Sequence, residues 1–264
     1  MNNSPIGIFD SGVGGLSVFS ELIKILPDEN YIYFGDTKNL PYGTKTKEQL
    51  VSFCTDIFDF FKKQGVKAVV MACNTTSAVV YDTLKDKYDF RIFPVVQTVA
   101  KQIATGNYKN IGVFATNATI NSHAYKTNLQ KYNPNINVFE IACPEWVSIV
   151  EQAIENTPES IDNIKFHLDE MLKNNVDEII LGCTHYPYLL DVLAKFAPRD
   201  MFINPAKYFV RYIKEDLQKA DLLNIKRDFH PQFIVSSNPN QFIKAAKLFY
   251  DVKEAKEIIL TSNV

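Results

Sequence analysis

The chain has 264 residues, 46% hydrophobic and 22% charged, a globular composition with apolar material for one large domain or two small ones. Its formal net charge is -2 with both signs interspersed, so a basic field for nucleic acid is not expected. No apolar run approaches the ~20 residues that span a bilayer. Residues 1–5 show no basic stretch leading into an apolar one. Neither a membrane span nor a signal peptide is therefore expected, and the expected location is cytoplasmic, where thiols stay reduced.

In chain order, residues 6–9, 31–34, 68–71, 92–96, 111–115, 138–141, 178–181 and 232–235 read as strands. Amphipathic stretches lie between most of them, for example at 16–26, 47–64 and 160–174. This alternation predicts an α/β fold with mainly parallel sheets, whose ligand sites lie at the carboxyl ends of strands. Two segments recur. Pro5-Ile6-Gly7-Ile8-Phe9-Asp10-Ser11 resembles Asn110-Ile111-Gly112-Val113-Phe114-Ala115-Thr116. Val69-Val70-Met71-Ala72-Cys73-Asn74-Thr75 resembles Ile179-Ile180-Leu181-Gly182-Cys183-Thr184-His185, in the same order and at nearly the same spacing. The repeat predicts two similar α/β domains related by pseudo-two-fold symmetry, with the active site in the cleft between them. Residues 1–97 with about 207–264 form the first, and 98–206 the second.

The four cysteines form no CxxC pair, and the four histidines show no HExxH spacing, so metal ligation is not expected. Cys54 and Cys143 read as core residues. Cys73 and Cys183 differ because each closes a repeated strand and precedes a helical pattern. A helix N-terminus favours thiolate over thiol there. Inverting a stereocentre by proton transfer needs removal from one face and delivery to the other. Two acid/base groups across a cleft provide this, and a thiol with an unperturbed pKa of ~8.5 is within tuning range of neutral. Asp10 and His185 are the candidate assistants, one per half, although Asp10 also reads as a turn residue and His185 as a capping one.

For substrate capture, Asp10-Ser11-Gly12-Val13-Gly14-Gly15 is a glycine-rich turn opening a helix, able to offer N–H groups to an anion. It is neither a Walker loop nor GxGxxG. Pro41, Tyr42 and Gly43 form a second turn. Thr116, Asn117 and Thr119 close the repeated strand with neutral donors, as a small zwitterion with an extra carboxylate would require. No lysine lies in these motifs to form a Schiff base, so no cofactor is expected.

The segments 7–16, Tyr33-Phe34-Gly35-Asp36-Thr37 with Leu40-Pro41-Tyr42-Gly43, Ala72-Cys73-Asn74-Thr75-Thr76-Ser77-Ala78, Ala115-Thr116-Asn117-Ala118-Thr119 and Leu181-Gly182-Cys183-Thr184-His185-Tyr186-Pro187 resemble the glutamate racemase family, in family order. The resemblance implies that Cys73 and Cys183 are the catalytic bases. It implies that Asp10, Ser11, Tyr42, Gly43, Asn74, Thr75, Thr184 and His185 contact substrate, with Thr116 and Thr119 nearby and Glu151 supporting His185. It further implies D-glutamate made for peptidoglycan, by a homodimer. Three departures lie outside the cysteine motifs. Gln97-Thr98 stands where the family has Glu-Pro, Asn204-Pro205-Ala206 where it has Ser-Gly, and Ser237-Asn238 where it has Gly-Asp; they bear on hinge geometry. Competing readings are a two-cysteine racemase for aspartate or another small amino acid, a non-catalytic amino-acid-binding regulator on the same scaffold, and a thiol hydrolase using Cys183 with His185.

Overall fold

A computed structural model of the chain describes residues 3–260. Its strands are β1 (Ile6–Asp10), β2 (Tyr31–Gly35), β3 (Ala68–Met71), β4 (Arg91–Pro94), β5 (Asn110–Ala115), β6 (Asn137–Ala142), β7 (Glu178–Gly182), β8 (Phe202–Ile203), β9 (Gln232–Val235) and β10 (Lys256–Glu257). They form two sheets, ordered β10-β9-β2-β1-β3-β4 and β6-β5-β7-β8. Every pairing is parallel. The order β2-β1-β3-β4 within the first sheet is the order β6-β5-β7-β8 of the second, so the sequence repeat is a repeat of topology. β1 matches β5 and β3 matches β7.

Parallel strands need crossovers, and helices on both faces then bury them. β1, β2 and β3 are accordingly buried along their whole length. Crossover helices begin where the sequence supplies caps. Thr46 and Gln49 form a capping box on the helix Lys47–Lys63. Thr157 caps the helix Pro158–Leu172, whose proline sits in the first turn.

All eight expected strands are present, and one boundary is displaced by more than a single residue. The strand expected over 92–96 ends at Pro94, and Val95 and Val96 open the helix Val95–Ile103. A short apolar run fits a buried helix face as well as a strand. The helix is fixed from outside, because the Val96 N–H donates to Ser77 Oγ at 3.0 Å. Gln97 and Thr98 thus lie within a helix rather than in a bare crossover. β8 and β10 were not expected; two residues each give no periodicity. No helix among the described residues is long and apolar enough to cross a membrane.

Away from the strand ends, a buried ion pair fastens the returning chain. Lys67 Nζ lies 2.6 Å from Glu29 Oε2, with side chains 1% and 2% exposed. It also donates to Asn224 Oδ1 at 2.8 Å and to the Leu222 carbonyl, while the Asn224 N–H donates to Glu29 Oε1 at 2.8 Å. Removing one partner strands the other charge in the interior. Lys67→Ala is expected to cost about 3–5 kcal/mol in urea unfolding. Lys24→Ala, which breaks an exposed pair with Glu21, should cost below ~1 kcal/mol.

Candidate active site

The repeat brings the carboxyl ends of β1, β3 and β7 to one place. Cys73 follows β3 and caps the helix Asn74–Val79, and Cys183 follows β7 directly. Both line one cavity of about 120 Å³, together with Ser11, Pro41, Tyr42, Gly43, Asn74, Thr75, Thr116, Thr184 and His185. Asn117, Pro144 and Val147 complete part of its wall, and among the described residues no lysine, arginine, aspartate or glutamate lines it. An anionic ligand in this cavity would meet hydroxyl, amide and backbone donors, with His185 as the one ionisable nitrogen side chain of the lining among the described residues.

Asp10, Thr119 and Glu151 lie behind this wall. Asp10 is fully buried and its Oδ2 accepts the Gly12 N–H at 3.0 Å, so it pins the glycine-rich turn instead of presenting that amide to a ligand. Burial raises its pKa, against the opposing pull of His185 and the Gly12 and Gly15 amides. Thr119 is 1% exposed and meets the cavity through Thr116 Oγ1 at 3.1 Å and Thr75 Oγ1 at 3.5 Å. Thr75 and Thr116 are themselves linked at 3.0 Å, joining the end of β3 to the end of β5. Glu151 Oε1 lies 3.0 Å from His185 Nε2.

The two thiols have different surroundings. Cys73 Sγ has Ser11 Oγ at 4.0 Å. Burial, and then the charge of Asp10, pushes its pKa up to about 12, against two hydrogen bonds from Thr76. Cys183 Sγ instead has His185 Nδ1 at 3.7 Å. Burial of His185 works against its charge, but contacts with Cys183 and Glu151 outweigh it and raise the pKa to about 10. Burial and Asp10 thus favour the thiol form at Cys73, whereas the Cys183 and Glu151 contacts favour the protonated form of His185.

The sequence assigns Asp36 no role, and Gln97 and Asn238 enter there only as departures bearing on hinge geometry. Asp36, 2% exposed, accepts from the Tyr42 hydroxyl at 2.5 Å, from Ser236 Oγ at 2.6 Å and from Asn39 at 2.9 Å. The Tyr42 hydroxyl is thereby committed, leaving its ring and backbone at the cavity wall. Gln97 accepts from Ser77 Oγ and donates to the Ser77 carbonyl, both at 2.8 Å, and so clamps the helix that Cys73 caps. Asn238 takes a left-handed φ of 53° before the helix Pro239–Ala246, a conformation asparagine tolerates. Cys54 and Cys143 are buried outside the cavity, and among the described residues no cluster of three or more His, Cys, Asp or Glu is arranged to hold a metal.

Residues 6–213 match the family model for Asp/Glu/Hydantoin racemase. The chain belongs to that family. A glutamate racemase of Thermoanaerobacter pseudethanolicus is 40% identical over 255 residues, 96% of each chain. One from a Nostoc species is 40% identical over 240 residues, covering 90% of this chain and 82% of that one. Among solved structures, the Francisella tularensis glutamate racemase in complex with D-glutamate superposes with a TM-score of 0.91 at 33% identity, covering 100% of this chain and 99% of that one. A Picrophilus torridus aspartate racemase, at 18% identity and a TM-score of 0.62 over 94% of this chain and 99% of that one, shares the fold alone.

For this racemase-family chain, the glycine-rich turn has a steric requirement that its motif does not reveal. A Cβ on Gly14 would stand 2.3 Å from Thr184 Oγ1 and 2.5 Å from His185 Cε1. Gly14→Ala must displace the Thr184 and His185 side chains, which flank Cys183, from their present positions. Because displacements near 1 Å can cost about 10²-fold in rate, kcat/KM for racemisation is expected to fall by about that factor. A melting curve checks that the variant is folded.

Proposed function

We propose that this enzyme interconverts L- and D-glutamate, with Cys73 and Cys183 as the two acid/base groups. The observation that carries the reading is that both thiols open into one cavity from equivalent strand ends of two repeated sheets. One sulfur, as thiolate, takes the Cα proton. The electron pair of the broken C–H bond is held on the carbanion, delocalised into the carboxylate. The other sulfur, as thiol, donates its proton to the opposite face. The turnover ends with the first sulfur protonated and the second a thiolate, and the reverse reaction exchanges their roles. His185, held by Glu151, serves the Cys183 side, and Asp10 shapes the charge and turn on the Cys73 side. Ser11, Pro41, Tyr42, Gly43, Asn74, Thr75, Thr116 and Thr184 are the proposed substrate contacts, with Thr119 bracing the threonines.

The choice of glutamate rests on relatives named glutamate racemase that match nearly the whole chain. The same reading extends to a cytoplasmic homodimer that supplies D-glutamate for peptidoglycan, without a cofactor, nucleic acid or a membrane. It also assigns residues 1–97 with about 207–264 to one domain and 98–206 to the other. The strand membership of the two sheets supports that division.

Purified protein incubated with L-glutamate or L-aspartate, followed by chiral analysis, is expected to yield D-glutamate. Serine keeps the size of cysteine but is far too weak a base, so Cys73→Ser and Cys183→Ser should each abolish racemisation in a folded protein. Cys54→Ser and Cys143→Ser should alter stability by about 0.5–3 kcal/mol and leave the chemistry intact. Full activity in either active-site variant, or conversion of aspartate alone, would overturn the proposal.

A further inference from the structure

Tyr125 belongs to the helix Ala124–Tyr132, in the half of the chain that carries Cys183, and is fully buried. Its hydroxyl donates to Asn74 Oδ1 at 2.7 Å. Asn74 is the residue after Cys73 and lines the cavity. The same ring lies against Gly182, the residue before Cys183, where an added Cβ would meet Tyr125 Cε2 at 2.9 Å. One side chain therefore touches the chain beside each thiol.

The contact determines what Asn74 offers a ligand. Burial raises the phenol pKa above its ordinary range, so the group stays an O–H donor. An amide has one acceptor oxygen and one NH2 donor group. With the oxygen turned to Tyr125, the amide nitrogen is the end left for the cavity. Such an asparagine favours a carboxylate over an ammonium group. That preference matters here because, among the described residues, neither lysine nor arginine lines the cavity.

We infer that Tyr125 is a positioning residue for substrate recognition: it turns the NH2 of Asn74 toward a substrate carboxylate and ties that donor to the Cys183 strand end through Gly182. The inference rests on the racemase reading above and adds to it a side chain that does not itself line the cavity.

The test is a double-mutant cycle with Tyr125→Phe, Asn74→Ala and the pair, measuring kcat and KM for both glutamate enantiomers beside melting temperature. Tyr125→Phe keeps the ring and its packing on Gly182. It should raise KM roughly tenfold, the equivalent of one hydrogen bond, with a much smaller change in kcat. Asn74→Ala should cost far less in the Tyr125→Phe background than in the parent protein, because the two changes remove one interaction. Asn74→Asp provides a second arm. Its carboxylate still accepts from Tyr125 but presents oxygen to the substrate, so its KM should exceed that of Asn74→Ala. A folded Tyr125→Phe protein with unchanged KM, strictly additive costs, or an Asn74→Asp variant that binds as well as Asn74→Ala would each overturn the inference. A parent protein that fails to racemise glutamate would overturn the functional reading with it, whereas an active parent indifferent to these changes would sink the Tyr125 role alone.

Discussion

The close packing of the turn 11–15 against Thr184 and His185 is the contact on which the rest of the site depends. It joins the carboxyl end of β1 to the carboxyl end of β7, and so brings strand ends from two separate sheets to one cavity. Gly14 permits the approach because it has no Cβ to fill the gap. Once the seam is set, the remaining links follow across it. Thr75 meets Thr116, and Tyr125 meets Asn74, each pair joining the Cys73 side to the second half of the chain. The proposed reaction, in which one sulfur takes a proton from Cα and the other delivers one to the opposite face, needs both sulfurs held relative to one Cα, and this seam would supply that restraint.

The electrostatics are less symmetric than the architecture. A mirror-image reaction invites a mirror-image site, and the sheets provide equivalent anchors at Cys73 and Cys183. Their neighbours, however, are not equivalent. Asp10 adds negative charge near Cys73, where burial already opposes ionisation. His185, backed by Glu151, stands beside Cys183, and these contacts favour its protonated form. In the sequence repeat, alanine stands opposite Asp10 and threonine opposite His185, so this asymmetry arises from unmatched residues within a matched frame.

Periodicity and the repeat were sufficient to locate the eight main strands and the two thiols, because burial on both faces leaves near-continuous apolar runs ending in small polar residues. Other features depend on distant partners. The end of β4 at Pro94 reflects a hydrogen bond from Val96 to Ser77, which no local pattern records. Asp10 reads first as an assistant to Cys73 and a substrate contact and second as a turn residue, and in the structure it lies behind the cavity wall with its side chain bonded to the Gly12 N–H. Tyr125 gave no signal at all: it lies in an amphipathic stretch, and its importance comes from what β3 and β7 bring to it. Asp36 stood inside a recognisable motif, but its bond to Ser236 spans 200 residues of chain. The polar and thiol residues at the strand ends were legible, whereas the residues that pack behind and orient them required the tertiary structure.

The central claim is that two different groups handle the proton on the two faces of Cα. Racemisation of L-glutamate in heavy water, stopped at low conversion and analysed by chiral separation with mass spectrometry, tests it most directly. The donating sulfur will have exchanged with solvent, so newly formed D-glutamate should carry deuterium at Cα while the residual L-glutamate remains unlabelled. D-glutamate that retains its original proton, or residual L-glutamate labelled as fast as product forms, would contradict the two-base account.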